Sequence, residues 1–250
     1  MKLLEFPHSH YCEKARWALD YKGLAFQPVA LLPGFHMLTV RKYAADTSVP
    51  LLLHNNQIVQ GSNEIITYLD RQYPEHLLTP TDAEQRQQCL DIEADMDTRL
   101  GLTIRQVLYS RLLAYPEFIR YCFTHPMPRI KQMIFSLFYP ALRYKIYNTY
   151  VISDAKVGLA RREFDITMTE LEKKLQGRQY LVGEQFTRAD LSVASMLCWL
   201  VMPPEHPFPW REIPDTQTQA FYDDYQGHPV SEWVSKIYKD HRLNGDKNSA

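Results

Sequence analysis

No run of 18 or more uncharged apolar residues occurs in the sequence, so no membrane-spanning helix is expected. The N-terminus lacks a charged region followed by a long apolar stretch and a small-residue cleavage site, which argues against a secretory signal. An excess of charge is missing too. The 28 Lys and Arg stand against 29 Asp and Glu, a formal net charge of −1, whereas nucleic-acid-binding domains usually carry a basic face. Cysteine is scarce: Cys12, Cys89, Cys122 and Cys198 lie too far apart for a disulfide framework or a zinc pair. Free thiols in a reducing cytoplasm are therefore expected. No i, i+4 histidine pair supports a metal site, and no internal repeat is visible. What is present is 250 residues with 45% hydrophobic content, enough for one large or two ordinary domains.

The most informative stretch is residues 2–19, KLLEFPHSHYCEKARWAL. Leu3, Leu4 and Phe6 read as a short strand, Pro7 to Ser9 as a tight turn, and the rest as a helix. Tyr11, Ala15, Ala18 and Leu19 recur at the spacing of one buried helical face, and Gly23 suits a C-cap. Ser9 then sits at a helix N-terminus, where free N–H groups and the helix dipole stabilise an anion, a thiolate included. A thiol of pKa about 8.5 needs only about 1.4 kcal/mol for each unit of lowering. Ser9 is equally readable as a plain N-cap. Ser9-His10-Tyr11-Cys12 also has the spacing of a C-x-x-C redox site with serine in first place, and the second cysteine of such sites is the more buried. Cys12 is accordingly expected to be packed. His8 and His10 are expected to be exposed loop residues.

Downstream, strands are expected over residues 26–32, 49–53 and 57–59, with Pro28 marking an edge and Asn55-Asn56 a tight hairpin turn. A short helix is expected near residues 37–43 and a longer one over 62–71, with Ile65, Ile66 and Leu69 on one face. Composition changes at residues 78–82, LTPTD, and beyond it everything reads as helix. Helices are expected over residues 83–107, 154–176, 187–201 and 221–240. Proline breaks residues 115–128 into short pieces, residues 203–214 form a Pro-rich loop, and 243–250 a frayed tail.

Three motifs carry chemistry. Val49-Pro50 opens a strand, and a cis bond there leaves the preceding backbone N–H and C=O open to a ligand. Gly61-Ser62 opens a helix, so a hydroxyl and free N–H groups meet as a carboxylate site or as a simple cap. Phe186-Thr187-Arg188-Ala189-Asp190-Leu191 reads as a capping box with a hydrophobic staple, a structural device. The aromatic-rich residues 130–150 read either as core or as an apolar wall for a ligand. Arg143 and Lys145 there favour a ligand with an acid group, and with Lys131 they interrupt the run too often for a membrane segment.

The order strand–Ser–helix, Val-Pro–strand, Gly-Ser–helix, followed by a helical half with a Phe-Thr-x-Ala-Asp box, resembles the cytosolic glutathione transferase superfamily. The resemblance covers roughly residues 2–80 and, more loosely, 83–240. It implies an α/β thioredoxin-like domain over residues 1–79, a linker over 80–86, an all-α domain over 87–242 and the tail over 243–250. It implies conjugation of glutathione, bound as a substrate, to an electrophilic apolar small molecule in a cytoplasmic homodimer, a detoxification role with neither metal nor nucleic acid. Ser9 falls where the family stabilises the thiolate. Val49, Pro50, Gly61, Ser62 and Glu64 fall at the glutathione site, and Tyr11, Phe135, Tyr139 and Tyr144 are expected to form the second-substrate wall. The family's acidic residue before Ser62 is absent, since position 61 is Gly; Glu64, or Asp95 or Asp97 of a partner subunit, is the candidate substitute. The family's Asn-Pro-x-Gly run is replaced by Ala45-Asp46-Thr47-Ser48, and the helical half carries extra length around residues 110–150. Two other readings stand beside this one: a non-catalytic module of the same fold, favoured by Gly61, and a thiol oxidoreductase using Cys12.

Overall fold

A computed structural model describes residues 1–151 and 153–242. The 243–250 tail lies outside the described residues. The N-terminal half is a four-stranded sheet in the order β2-β1-β3-β4. Its strands are β1 (Lys2–Glu5), β2 (Gln27–Ala30), β3 (Leu51–His54) and β4 (Gln57–Gln60). β1 and β2 run parallel because α1 (His10–Tyr21) crosses between them; β3 and β4 are antiparallel across Asn55-Asn56. Both asparagines take positive φ (48° and 62°), the geometry of a tight hairpin turn, which Asn tolerates best after Gly. Pro28 lies in the edge strand β2, where a missing N–H costs no ladder bond. α2 (His36–Val40) starts slightly earlier than expected, and α3 (Ser62–Gln72) closes the sheet half.

Every regular element after α3 is a helix among the described residues. Asp82 caps α4 (Ala83–Leu112) by accepting the Gln85 N–H at 2.9 Å, so residues 83–86, expected within the linker, form the first turn of that helix. The Pro-rich 115–128 segment is not broken into pieces. Pro116 occupies the first turn of α5 (Pro116–Thr124), where proline loses no helix bond, and the chain turns only at the cis His125–Pro126 bond. α6 (Arg129–Ile146) runs on through Pro140 into a π-helical turn over Tyr147–Val151. α7 (Asp154–Leu175) follows. The helix expected over 187–201 divides at Leu197 into α8 (Arg188–Met196) and α9 (Cys198–Val201). The one expected over 221–240 divides into α10 (Thr216–Asp223) and α11 (Pro229–His241). The capping box forms: Asp190 accepts the Thr187 N–H at 2.8 Å and the Leu181 N–H at 2.8 Å.

One continuous apolar core joins the halves, with α1 packed on α8 and α8 on α4. A buried ionic cluster pins the same junction. Lys14 of α1, fully buried, reaches Glu93 at 2.8 Å, Asp97 at 2.7 Å and the Asn63 side chain at 2.6 Å. Arg188 of α8 meets Glu93 at 2.6 Å and the Asn63 C=O at 3.0 Å. Four helices are thereby held in one register, and the start of α3 is placed relative to α1.

Candidate active site

The turn after β1 is closed by the Ser9 N–H donating to the Phe6 C=O at 2.9 Å. Ser9 is the N-cap of α1, its Oγ accepting the Cys12 N–H at 3.4 Å. Among the described residues the only other group that hydroxyl meets is the buried Cys12 thiol. Ser9 lines a cavity of about 410 Å³ between the sheet half and the helices, and Val49 lines the same cavity. The Val49–Pro50 peptide is cis, as the sequence reading expected. Neither the N–H nor the C=O of Val49 has a hydrogen-bond partner among the described residues. Gln60, which sequence reasoning passed over, donates to the C=O groups of Asp46 and Ser48 at 2.9 and 2.8 Å and so holds the approach to Val49.

Gly61 joins this region from behind: its N–H donates to the Pro50 C=O at 3.0 Å, which sets the first turn of α3 beside the cis proline. Its φ of +95° explains the glycine, since a side chain there is strained even with open space around it. Ser62 is buried, and its hydroxyl donates only to the Asn63 side chain, at a long 3.4 Å. No side chain caps α3, so its first-turn N–H groups lack local partners. Glu64 is exposed in that turn. Gly61, Ser62 and Glu64 do not line the cavity itself. Asp97 is not available to a partner subunit, because Lys14 and Ser192 (2.6 Å) take its carboxylate within its own chain. Asp95 pairs with Arg99 at 3.2 Å.

Both histidines flanking Ser9 are buried, contrary to the expectation of exposed loop residues. His8 stacks between Phe6 and Phe123, with centroids 5.8 and 4.6 Å away, and its C=O accepts the Trp199 indole N–H at 2.5 Å. Desolvation pushes the His8 ring down to about 3; for His10, desolvation and then the positive charge of Arg105 do the same, also to about 3. Both are neutral at physiological pH. Cys12 is fully buried, and burial pushes its thiol up to about 12, with Glu5 adding to the effect. A thiol so held is unsuited to disulfide chemistry, which needs a thiolate. No cluster of His, Cys, Asp or Glu suited to a metal ion occurs among the described residues, and no described helix is long and apolar enough to cross a membrane.

The helical side of the cavity departs most from the sequence expectation. Tyr11 does line it, but its hydroxyl is turned away to donate to the Asp97 C=O at 2.6 Å, in a gap that only Gly101 leaves open. Phe135 and Tyr139 are core residues packed in series on Phe123, edge-on and then tilted, with ring centroids 6.1 Å apart at each step. They lie one to two turns too early along α6, and seven residues of helix amount to about 10 Å. Tyr144 is 72% exposed, on the opposite face. Leu142, Lys145, Ile146, Thr149 and Tyr150 line the cavity instead, facing Arg105, Leu108 and Tyr109 of α4. Their spacing of three and four was present in the sequence, but choosing by aromatic type rather than by helical phase missed it. Among the described residues no Asp or Glu lines the cavity.

With this geometry in hand, comparison with known proteins is informative. The family model described as glutathione S-transferase, N-terminal domain, matches residues 3–77, and that described as glutathione S-transferase, C-terminal domain, matches residues 139–216. Glutathione S-transferase 1 of Dianthus caryophyllus and glutathione S-transferase Z1 of Arabidopsis thaliana are each 35% identical over 89 residues, which is 34% of this chain and 40% of theirs. The match thus spans well under half the length of these relatives. A glutathione S-transferase from Methylobacterium radiotolerans, in complex with glutathione sulfonate, superposes with a TM-score of 0.61 at 20% identity, covering 96% of this chain and 93% of that one. One from Methylobacillus flagellatus with glutathione bound gives a TM-score of 0.63 at 18% identity, covering 96% and 98%. At such identities the likeness is one of fold.

Proposed function

The chain belongs to the glutathione S-transferase superfamily, and from that premise we propose that it conjugates glutathione to electrophilic, largely apolar small molecules. The observation that carries the proposal is Ser9: a helix N-cap hydroxyl at the start of α1, opening on a cavity to which no described residue brings a carboxylate. Ser9 donates to the glutathione sulfur and favours its thiolate, aided by the α1 N-terminus. The sulfur attacks the electrophilic carbon, and the leaving group departs with its electron pair. Holding both reactants in one cavity supplies the remaining acceleration. The free backbone groups of Val49 take the peptide backbone of glutathione beside Pro50. Ser62 and the first-turn N–H groups of α3, next to Gly61, receive the γ-glutamyl carboxylate, with Glu64 as the nearest acid for the ammonium. A homodimer, tested by sedimentation across micromolar concentrations, is part of the same proposal.

Ser9→Ala provides the test. It should leave glutathione binding nearly intact, raise the pKa of the bound thiol, and slow turnover with a model aryl halide by about tenfold or more, since about 1.4 kcal/mol is one decade. Cys12→Ser should be nearly silent. A silent Ser9→Ala with an inactive Cys12→Ser would make Cys12 the reactive group. A wild type that neither turns over nor is retained on immobilised glutathione would reduce the protein to a module of the same fold without transferase activity.

A further inference from the structure

Arg105 of α4 is set apart from the other arginines of the fold. Its guanidinium carbon lies 4.4 Å from the ring centroid of Tyr150 and 5.9 Å from that of Tyr11. Its Nε is buried and has no hydrogen-bond partner, and among the described residues no carboxylate pairs with it. Elsewhere the chain neutralises such groups: Arg16 meets Glu5 at 2.7 Å, Arg188 meets Glu93 at 2.6 Å, and Arg99, on the same helix as Arg105, meets Glu163 at 2.6 Å and Glu170 at 2.8 Å. Arg111 also lacks an ion pair, but it lies outside the cavity over the Phe221 ring. Arg105 lines the cavity, Lys145 of α6 lines it as well, and among the described residues no acidic side chain does. Leaving a half-buried guanidinium without an anion is unfavourable, so the cavity is electrostatically complete only with an anionic guest.

We propose that Arg105 and Lys145 select co-substrates that carry a carboxylate on an apolar, planar body, such as an aryl carboxylic acid, with Arg105 as the specificity-determining residue. The inference rests on the transferase reading and names its co-substrate class. The planar fork of Arg105 suits a carboxylate edge-on, and its stacking on Tyr150 holds the fork still in advance of binding. Ile104, Leu108 and Leu142 supply the apolar surface for the body of the guest. Glutathione is itself an acid, but Arg105 stands on α4 against the π-helical turn, whereas the backbone groups suited to a peptide belong to Val49 and the start of α3. The positive field of Arg105 is already felt inside the cavity, where it helps keep His10 neutral.

A matched pair of ligands provides the test. Dissociation constants are measured by calorimetry on the full chain for 4-chloro-3-nitrobenzoate, for its neutral amide, and for glutathione. The acid should bind about tenfold tighter than the amide, the scale of a charge-assisted hydrogen-bond pair. Arg105→Gln should erase that preference while leaving the amide and glutathione within about twofold of wild type. Arg105→Lys, which keeps the charge but not the fork, should restore part of it. Equal binding of acid and amide by the wild-type protein overturns the proposal without any variant having to fold. So does an Arg105→Gln protein that loses glutathione as badly as it loses the acid, because Arg105 would then belong to the peptide. An acid preference that persists in a wild type unable to bind glutathione supports the anion pocket and instead removes the transferase reading.

Discussion

Ser9 and Val49, on the sheet side of the cavity, offer main-chain groups and a hydroxyl held by short turns. Arg105, Leu108, Leu142 and Tyr150, on the helical side, offer long side chains carried by α4, α6 and a π-helical turn. The sheet side is defined by backbone geometry: the N-cap at Ser9, the cis bond before Pro50, the positive φ of Gly61. Such a surface suits a ligand that never changes. The helical side is defined by which side chains a helix turns inward, and one substitution alters its size or charge without disturbing the fold. A constant ligand against the first wall and a variable one against the second is the division of labour this difference teaches.

The comparison breaks most severely where the two sides are joined. Lys14→Met would leave Asp97 without its cation and Glu93 with Arg188 alone, and losing one member of a buried pair costs about 3–5 kcal/mol. Urea denaturation should show a loss of that size. A change below about 1 kcal/mol would mean that the halves are held by apolar packing alone.

Acid should act next, through the sheet side. His8 and His10 have folded pKa values of about 3, below the ordinary 6.5, so on acidification the unfolded chain takes up the proton first. Stability is therefore full above pH 6.5 and falls as the pH drops from there toward 3. The loss is about 2 kcal/mol for each histidine by pH 5, at about 1.4 kcal/mol per pH unit. Arg105 and Arg16 sharpen this effect by facing the rings with like charge. Denaturation midpoints at pH 7 and pH 5 measure it, and coincident midpoints would contradict the buried placement.

Ser62→Ala should weaken glutathione binding by roughly 1–3 kcal/mol without unfolding the chain, the cost of leaving a charged group one hydrogen bond short. Unchanged affinity would put the γ-glutamyl carboxylate elsewhere. The smallest effects test the helical side by contrast. Leu142→Ala should raise the KM for an apolar co-substrate while the KM for glutathione stays put. Tyr144→Ala, at an exposed position, should change stability and both constants negligibly, within about 0.5 kcal/mol. A strong effect of Tyr144→Ala would restore the wall expected from aromatic content.

Much of the sheet half was legible because its signals are local. A cap, a tight turn and a hairpin involve residues within about four positions of one another, so Ser9 and Asn55-Asn56, and the Thr187–Asp190 box in the helical half, could be read directly. The broken-helix expectation over 115–128 failed on a local point as well: Pro116 falls in the first turn, where it is tolerated. The histidines failed for a different reason. Nothing near His8 in the chain indicates that Phe123 and Trp199 will close over it.

By itself, then, the amino-acid sequence determined the order of the sheet-half elements, its turns and the N-cap position of Ser9, all consequences of short-range backbone sterics and hydrogen bonding. Tertiary structure alone decided which face of α6 meets α4, that Arg105 stacks on Tyr150 with no acid beside it among the described residues, and that Asp97 is consumed by Lys14. These depend on the axial offset and rotation of helices packed from distant parts of the chain. Close packing sets those quantities only when all the side chains are in place together.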